Sequence, residues 1–240
     1  MEQERFYRRF HDSTDLVHFN VKVRETDLDI GARKILVEEA LELVRKYRRE
    51  IEAYTRKVPG FLTSLKPLSC RPNAPSIIKE MCLAAEKAGV GPMAAVAGAI
   101  SQYVGQGLLA FTREIIVENG GDIYIKSNRD RIIGVYAGES PLSGKVGIKI
   151  RAGDCPMGVC TSSGKVGHSL SFGKADAAVI LAPNTILADA VATATCNLVK
   201  AADHIQDAVD FAKGIDGVAG VVVIMEDRLG AWGKVELVSL

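Results

Sequence analysis

The chain lacks an excess of charge of either sign. Thirty Lys and Arg residues are balanced by 29 Asp and Glu residues, which leaves a formal net charge of +1 over 240 residues. Proteins dedicated to binding nucleic acid or an anionic membrane usually carry a clear positive excess. We therefore expect no nucleic-acid partner and no membrane partner.

Cysteine is scarce and odd in number, with five residues in the whole chain. A small secreted disulfide scaffold would need a denser and even set. The first residues, MEQERFYRRF, are charged and contain none of the apolar run of a signal peptide. Both observations favour a cytoplasmic location. The uncharged stretch 88–112 is long enough to span a bilayer, but its five glycines and its polar residues predict a buried helix of small residues.

Several strong functional motifs are also missing. The sequence has no P-loop, no GxGxxG after a strand, no HExxH, no GxSxG and no CxxC. Cys155 and Cys160 are separated by four residues, with no second Cys or His pair nearby. A zinc site is therefore not expected.

What the chain does contain is enough apolar sequence for one packed domain, with 48% hydrophobic residues. Within this single domain, we expect an N-terminal part made of strands and a helix at residues 1–60. The part that carries the site is expected at residues 75–240. Because helices and strands come in blocks, the fold class predicted is α+β, with mixed or antiparallel sheets packed against helices. Strands are predicted at 15–24, 26–32, 132–138, 145–150, 158–163, 176–183 and 218–226, with a last one at 234–240 after a turn at Gly230. Helices are predicted at 33–57, 76–88, from Pro92 onward, 184–200 and 204–213.

The first segment with chemical potential is the turn Asn119-Gly120-Gly121-Asp122 between two short apolar runs. This composition is typical of a β-hairpin. The two glycines let the backbone approach a ligand, and Asp122 can accept a hydrogen bond from a hydroxyl or an amine. From spacing alone, an ordinary hairpin turn is the favoured interpretation.

The second segment is rich in hydroxyls and ends on a histidine. Thr161, Ser162, Ser163 and Gly164 can offer hydroxyls and backbone N–H groups to a phosphate-like anion. His168 can act as an acid, a base or a charge stabiliser. A polar surface loop explains the same residues.

The third segment is a helix that carries Asp189 and Thr193. A spacing of four residues places both side chains on one helix face. A carboxylate and a hydroxyl in this arrangement can bind a hard cation such as Mg²⁺. The alternative is that Asp189 stabilises the helix N-terminus and that Thr193 bonds back to the backbone.

Together and in this order, these segments resemble the ApbE family of flavin transferases, and more closely its small UPF0280 branch. NGGDIYI at 119–125 is similar to the family's GGDI hairpin, and 160–168 is similar to its TSG…H segment. Asp189 and Thr193 match its DxxxT helix, and the helix at 97–103 is similar to the one that lines the flavin pocket. The resemblance covers roughly residues 75–240.

The resemblance implies an ApbE-like architecture that binds FAD and passes FMN to a hydroxyl of a target protein. It implies Mg²⁺ on Asp189 and Thr193, and His168 as the catalytic residue. The residues implied to bind the cofactor are Asn119, Gly120, Gly121, Asp122, Thr161, Ser162, Ser163 and Gly164. Two departures stand out: Ser169-Leu170-Ser171 follows His168 in place of the family's x-Ile-Asp, and Ser101 replaces a pocket Lys.

These departures leave two alternatives open. The chain can bind a flavin or another nucleotide-like small molecule without transferring it. It can also carry sulfur on Cys155 or Cys160, since relatives in anaerobes are linked to sulfide assimilation, although two inert thiols are the favoured interpretation. We further expect a homo-oligomer, because dimers are common for chains of this size.

Overall fold

The computed structural model describes residues 13–165 and 172–240. Five α-helices are found there: α1 Val37–Lys57, α2 Ser76–Ala88, α3 Val96–Leu108, α4 Thr185–Leu198 and α5 Ile205–Lys213. The strands are β1 Val17–Val23, β2 Thr26–Ala32, β3 Ile115–Asn119, β4 Asp122–Lys126, β5 Arg131–Gly134, β6 Val146–Ile150, β7 Met157–Ser162, β8 Ala177–Ala182, β9 Gly220–Met225, β10 Arg228–Gly233 and β11 Leu237–Ser239.

The strands form two sheets. Eight of them pair in the order β1-β2-β3-β4-β7-β8-β9-β10, and β11-β6-β5 form a smaller sheet. Every neighbouring pair is antiparallel. The α+β class with antiparallel sheets packed against helices is confirmed.

The central strands of the large sheet are buried on both faces, as β8 illustrates. Ala178, Ile180 and Ala182 join the core shared with the helices. The alternate residues Val179 and Leu181 join a second core shared with the small sheet. Side chains alternate between the faces of a strand, so two apolar cores require a continuous apolar run. The resulting layers are helices, large sheet and small sheet.

Small residues in α3 allow its neighbours to approach closely. A Cβ atom at Gly105 would lie 2.3 Å from a ring carbon of Tyr124 in β4, and one at Gly98 would lie 2.6 Å from the Thr185 carbonyl at the start of α4. The predicted buried helix is therefore confirmed. Among the described helices, none has the length and hydropathy needed to cross a bilayer.

The predicted turn at Gly230 is wrong. The chain turns at Glu226 and Asp227, where Glu226 has a φ of 57°, and Gly230 lies inside β10 opposite Val223. A Cβ atom at Gly230 would lie 2.5 Å from the Ile205 side chain. The glycine is thus explained by the packing of α5 on this strand and not by a turn.

The helix α1 begins at Val37 and not at Arg33 as predicted. The Arg33 side chain forms ion pairs with Glu114 and Asp15, which lie on the sheet side of the junction. Arg33 therefore belongs to the connection between β2 and α1. The strand predicted at 132–138 is shorter, since β5 ends at Gly134.

Candidate functional site

A cavity of about 930 Å³ lies beside helices α1, α3 and α4 at one end of the large sheet. Its walls also include residues of the segments 62–65 and 89–94, and Phe172. Ligand pockets typically measure roughly 300–1,000 Å³, so this one is large enough for a dinucleotide-sized ligand.

The hairpin predicted at 119–122 forms one edge of the cavity. Asn119 and Asp122 pair across the turn, and Gly120 and Gly121 have φ values of 68° and 104°, as a tight two-residue turn requires. The Asn119 side-chain amide donates a hydrogen bond to the Ala97 carbonyl over 3.1 Å. Asn119 also lines the cavity. The turn is thereby attached to the first residues of α3.

Asp189 and Thr193 lie one turn apart on α4, and both line the cavity. The helix begins after Asn184, whose side-chain oxygen accepts from the Leu187 N–H. Asp189 Oδ2 accepts a hydrogen bond from the Gly98 N–H over 2.8 Å. A Cβ atom at Gly98 would lie 2.7 Å from the Asp189 Cβ. Only glycine at this position lets the backbone of α3 hold the carboxylate.

Two buried carboxyl groups come close together here. Burial raises the pKa of Asp189 to about 7, although the backbone N–H groups of Gly98 and Ala97 act in the opposite direction. Burial, followed by the charge of Asp189, raises the pKa of Asp122 well above its usual range, while the Cys160 thiol opposes this shift. Asp122 is 6% exposed, and its Oδ1 atom has no hydrogen-bond partner in the described part of the chain.

This donor set fits a hard cation. The Asp189 carboxylate and the Thr193 hydroxyl are oxygen ligands, and a positive ion would relieve the repulsion between Asp189 and Asp122. The described residues contain no group of three or more His, Cys, Asp and Glu side chains suited to a metal. The remaining ligands would be oxygens of water or of a bound substrate, which is the usual coordination of Mg²⁺.

The second predicted segment stands beside the hairpin but not on the described wall of the cavity. The Thr161 N–H donates to the Gly121 carbonyl over 3.2 Å. Ser162 is buried, and Ser163 Oγ accepts from the Lys165 N–H. The Gly164 N–H donates to the Ala175 carbonyl over 3.0 Å.

Of the predicted site residues, three line the cavity: Asn119, Asp189 and Thr193. The described lining does not include Gly120, Gly121, Asp122, Thr161, Ser162, Ser163 or Gly164. His168 lies outside the described residues. The ligand-binding and catalytic roles of all these residues stay predictions. Ser101, which replaces the family's pocket Lys, is buried and donates to the Gly98 carbonyl.

The two thiols considered for sulfur chemistry are on opposite sides of the large sheet. Cys160 belongs to the core under the helices, and its Sγ atom donates to the Thr185 carbonyl. Cys155 packs against the core under the small sheet. Burial raises the pKa of each thiol, which disfavours the reactive thiolate form. This arrangement gives no support to a paired role.

Sequence reasoning missed the wall formed by α1 and the β1–β2 turn. Arg48, Thr26 and Glu52 line the cavity, yet the charges of α1 are typical of a solvated helix face. One signal was available. Arg48 stands four residues after buried Val44 and three before buried Ile51, on the apolar stripe of the helix.

Comparison with known proteins shows the family to which this chain belongs. Residues 8–229 match a family model described as AbpE bacteria. A UPF0280 protein of Methanocaldococcus jannaschii is 44% identical over 206 residues, which cover 83% of this chain and 84% of the relative. One from Methanopyrus kandleri is 42% identical over 221 residues, 89% of either chain. The chain belongs to the UPF0280 family.

The fold of this UPF0280 protein is shared with solved flavin transferases. The apo flavinyl transferase ApbE of Pseudomonas stutzeri superimposes with a TM-score of 0.55 and 13% identity, over 90% of this chain and 94% of that one. The ApbE protein of Thermotoga maritima gives a TM-score of 0.60 and 14% identity, over 90% and 96%. The ApbE-like architecture is confirmed. At these identities the likeness establishes the fold.

Proposed function

We propose that this UPF0280 protein binds FAD in the 930 Å³ cavity together with Mg²⁺, and transfers FMN to a protein hydroxyl. The observation that carries the proposal is the position of Asp189 and Thr193 on the cavity wall, with the unpartnered carboxyl oxygen of Asp122 buried close by. The fold shared with flavin transferases supports it.

Different residues of the cavity wall would have different roles in this function. Asp189 and Thr193 would hold the metal, and the Gly98 N–H fixes the orientation of the carboxylate. Asn119 keeps the hairpin against the start of α3, so that the two elements form one wall of the cavity. A bound Mg²⁺ would supply positive charge to the pyrophosphate oxygens and to the AMP leaving group.

A second candidate is a protein that binds the nucleotide without transfer. It is favoured by the sequence after His168, which lacks the Asp and Pro of the transferases. In that case the cavity, Asp189 and Thr193 keep their binding roles, and only the chemical step is absent.

Incubation of the full chain with FAD and MgCl2, followed by chromatography for AMP, tests the proposal. We expect the wild type to release AMP, with water replacing the protein hydroxyl as the acceptor of FMN. AMP release should fall at least tenfold in Asp189→Asn and stay unchanged in Asp216→Asn, a fully exposed carboxylate used as the matched control. FAD binding without AMP supports the non-catalytic alternative. AMP release that is unchanged in Asp189→Asn would refute the metal role.

A further inference from the structure

We propose that Arg48 and its partners Thr26, Glu25 and Glu52 form a second binding end of the cavity, which recognises the hydrogen-bonding edge of a planar heterocycle. This inference rests on the proposed function, because it states what the part of the cavity away from Asp189 would hold. All four residues lie outside the three segments that carry the family resemblance.

Strand register places this end near the hairpin but separate from it. Leu28 of β2 is paired directly with Asn119 of β3, and Thr26 lies two positions further along β2. Two strand residues correspond to roughly 7 Å. Thr26 and Asn119 continue the series of side chains that face the helices, after Leu28 and Val117 respectively. Both side chains therefore lie where the sheet borders the cavity. The distance between them is about the width of a fused ring system.

Arg48 is fixed before any ligand arrives. Its Nη1 atom donates to Thr26 Oγ1 over 2.7 Å, and its Nη2 atom donates to Glu25 over 2.7 Å and to Glu52 over 3.1 Å. The side chain is only 16% exposed. A planar guanidinium held at three points is a preorganised donor for a planar partner.

The turn that carries Glu25 is held in an uncommon backbone conformation. Arg24 has a φ of 55°, a left-handed value that costs a non-glycine residue free energy. Its side chain bonds to Glu52 over 3.2 Å, so the turn is attached to α1 on the cavity side. Glu25 itself is 83% exposed and can leave Arg48 when a ligand replaces it.

The charges at this end select the class of ligand. The carboxylates of Glu25 and Glu52 lie beside Arg48, and both would repel a phosphate group at this end of the cavity. A neutral edge with alternating donors and acceptors can instead bond to the guanidinium and to the carboxylates together. Apolar side chains of the same cavity, Ile51, Val90, Met93, Val96 and Ile100, suit the faces of such a ring. The edge can come from the flavin ring or from adenine.

Binding titrations of the full chain with FAD, FMN and ADP, each with MgCl2, test this inference. The key variant is Arg48→Lys, which keeps the charge but loses the planar fork. The control is Arg45→Lys, an exposed residue on the same helix. We expect Arg48→Lys to weaken FAD binding at least tenfold and Arg45→Lys to leave it within twofold. Weaker binding of FMN alone assigns the flavin ring to Arg48, and weaker binding of ADP alone assigns adenine.

Thermal melts without ligand accompany each titration, and Glu52→Gln serves as the test variant if Arg48→Lys does not fold. FAD affinity in the folded test variant within twofold of the wild type would overturn the inference. If Asp189→Asn at the same time loses Mg²⁺-dependent binding, the proposed function survives that result. A wild type that binds neither FAD nor its halves would overturn both.

Discussion

Asp189 is a carboxyl group whose environment favours its protonated form. Burial raises the pKa of Asp189, and the backbone N–H groups of Gly98 and Ala97 offset this only in part. In the unfolded chain its pKa returns to an ordinary value near 3.8, against about 7 in the folded protein. Ionisation of Asp189 therefore lowers folding stability as pH rises from about 4 through about 7. A cation bound to the ionised carboxylate would restore that stability.

The first prediction is that stabilisation by Mg²⁺ depends on pH. We expect MgCl2 to raise the melting temperature by several degrees at pH 8, and by much less at pH 5.5, where Asp189 is protonated. A change of about 1 kcal/mol shifts the melting temperature by about 2–4 °C in a chain of this size. Differential scanning calorimetry at both pH values measures the effect.

The control for that experiment is Asp189→Asn. Without metal at pH 8 this variant should be at least as stable as the wild type, because it removes a buried charge, and MgCl2 should no longer shift its melting temperature. Equal Mg²⁺ shifts at pH 5.5 and pH 8 in the wild type would contradict the assignment.

The second prediction concerns Gly98, which lets α3 contact Asp189. In Gly98→Ala, the new methyl group would lie 2.6 Å from the Thr185 carbonyl and 2.7 Å from the Asp189 Cβ, so the helices must separate. We expect a loss of about 1–3 kcal/mol in the free energy of unfolding by urea. Gly153→Ala meets no atom within 4 Å and should change stability little. Equal stability of the two variants would show that the α3–α4 contact is looser than described.

At this scale the sequence predicts contacts within one element well. Asp189 and Thr193 share a helix face because four residues make about one turn, and the Asn119–Asp122 turn follows from its glycines. The sequence predicts contacts between elements poorly. Nothing near Arg48 in the chain indicates that two of its partners, Glu25 and Thr26, lie at the β1–β2 turn, since that pairing depends on how α1 crosses the sheet.

At the scale of elements, the junction between the two sheets depends on a buried ionic network. Arg131, at the start of β5, is 3% exposed and forms ion pairs with Asp15 and Glu114. Ser127 Oγ accepts from its Nε atom over 3.0 Å. The network joins the small sheet to the start of β3.

The third prediction follows from this network. Arg131→Met should lower the free energy of unfolding by about 3 kcal/mol, because it leaves buried Glu114 with less compensation. Arg129→Ala removes an exposed arginine that also pairs with Asp15 and should cost less than about 1 kcal/mol. Chemical denaturation of both variants measures the difference. A loss for Arg131→Met no larger than that for Arg129→Ala would contradict a structural role for the buried pair.

Element types could be predicted from composition and periodicity, whereas some boundaries could not. The apolar run of β8 and the asparagine before α4 are local signals, and both elements occur where predicted. The turn predicted at Gly230 was wrong because glycine occurs both in turns and inside strands where a helix packs closely. The sequence alone does not distinguish these two uses. Cys160 lies in β7 and faces the helices, whereas Cys155 precedes the strand and packs against the core under the small sheet, so their short spacing in the chain does not bring the two thiols together.

At the scale of the whole molecule, the order of strands brings the site together. The cavity wall takes Thr26 from β2, Arg48 from α1, Asn119 from β3 and Asp189 from α4. Sequence patterns indicate each element but not the neighbours of each strand, because strand pairing is long-range. The types of elements were enough to predict the fold class. The position of the cavity depends on which strands are neighbours, so it could not be predicted.

The central claim is that Asp189 holds a metal that the nucleotide requires. Calorimetric titration of FAD into the wild type and into Asp189→Asn, with and without MgCl2, tests it most directly. We predict that Mg²⁺ strengthens FAD binding at least tenfold in the wild type and has no effect in the variant. FAD affinity that is independent of Mg²⁺ in the wild type, or equally dependent on Mg²⁺ in the variant, would contradict the claim.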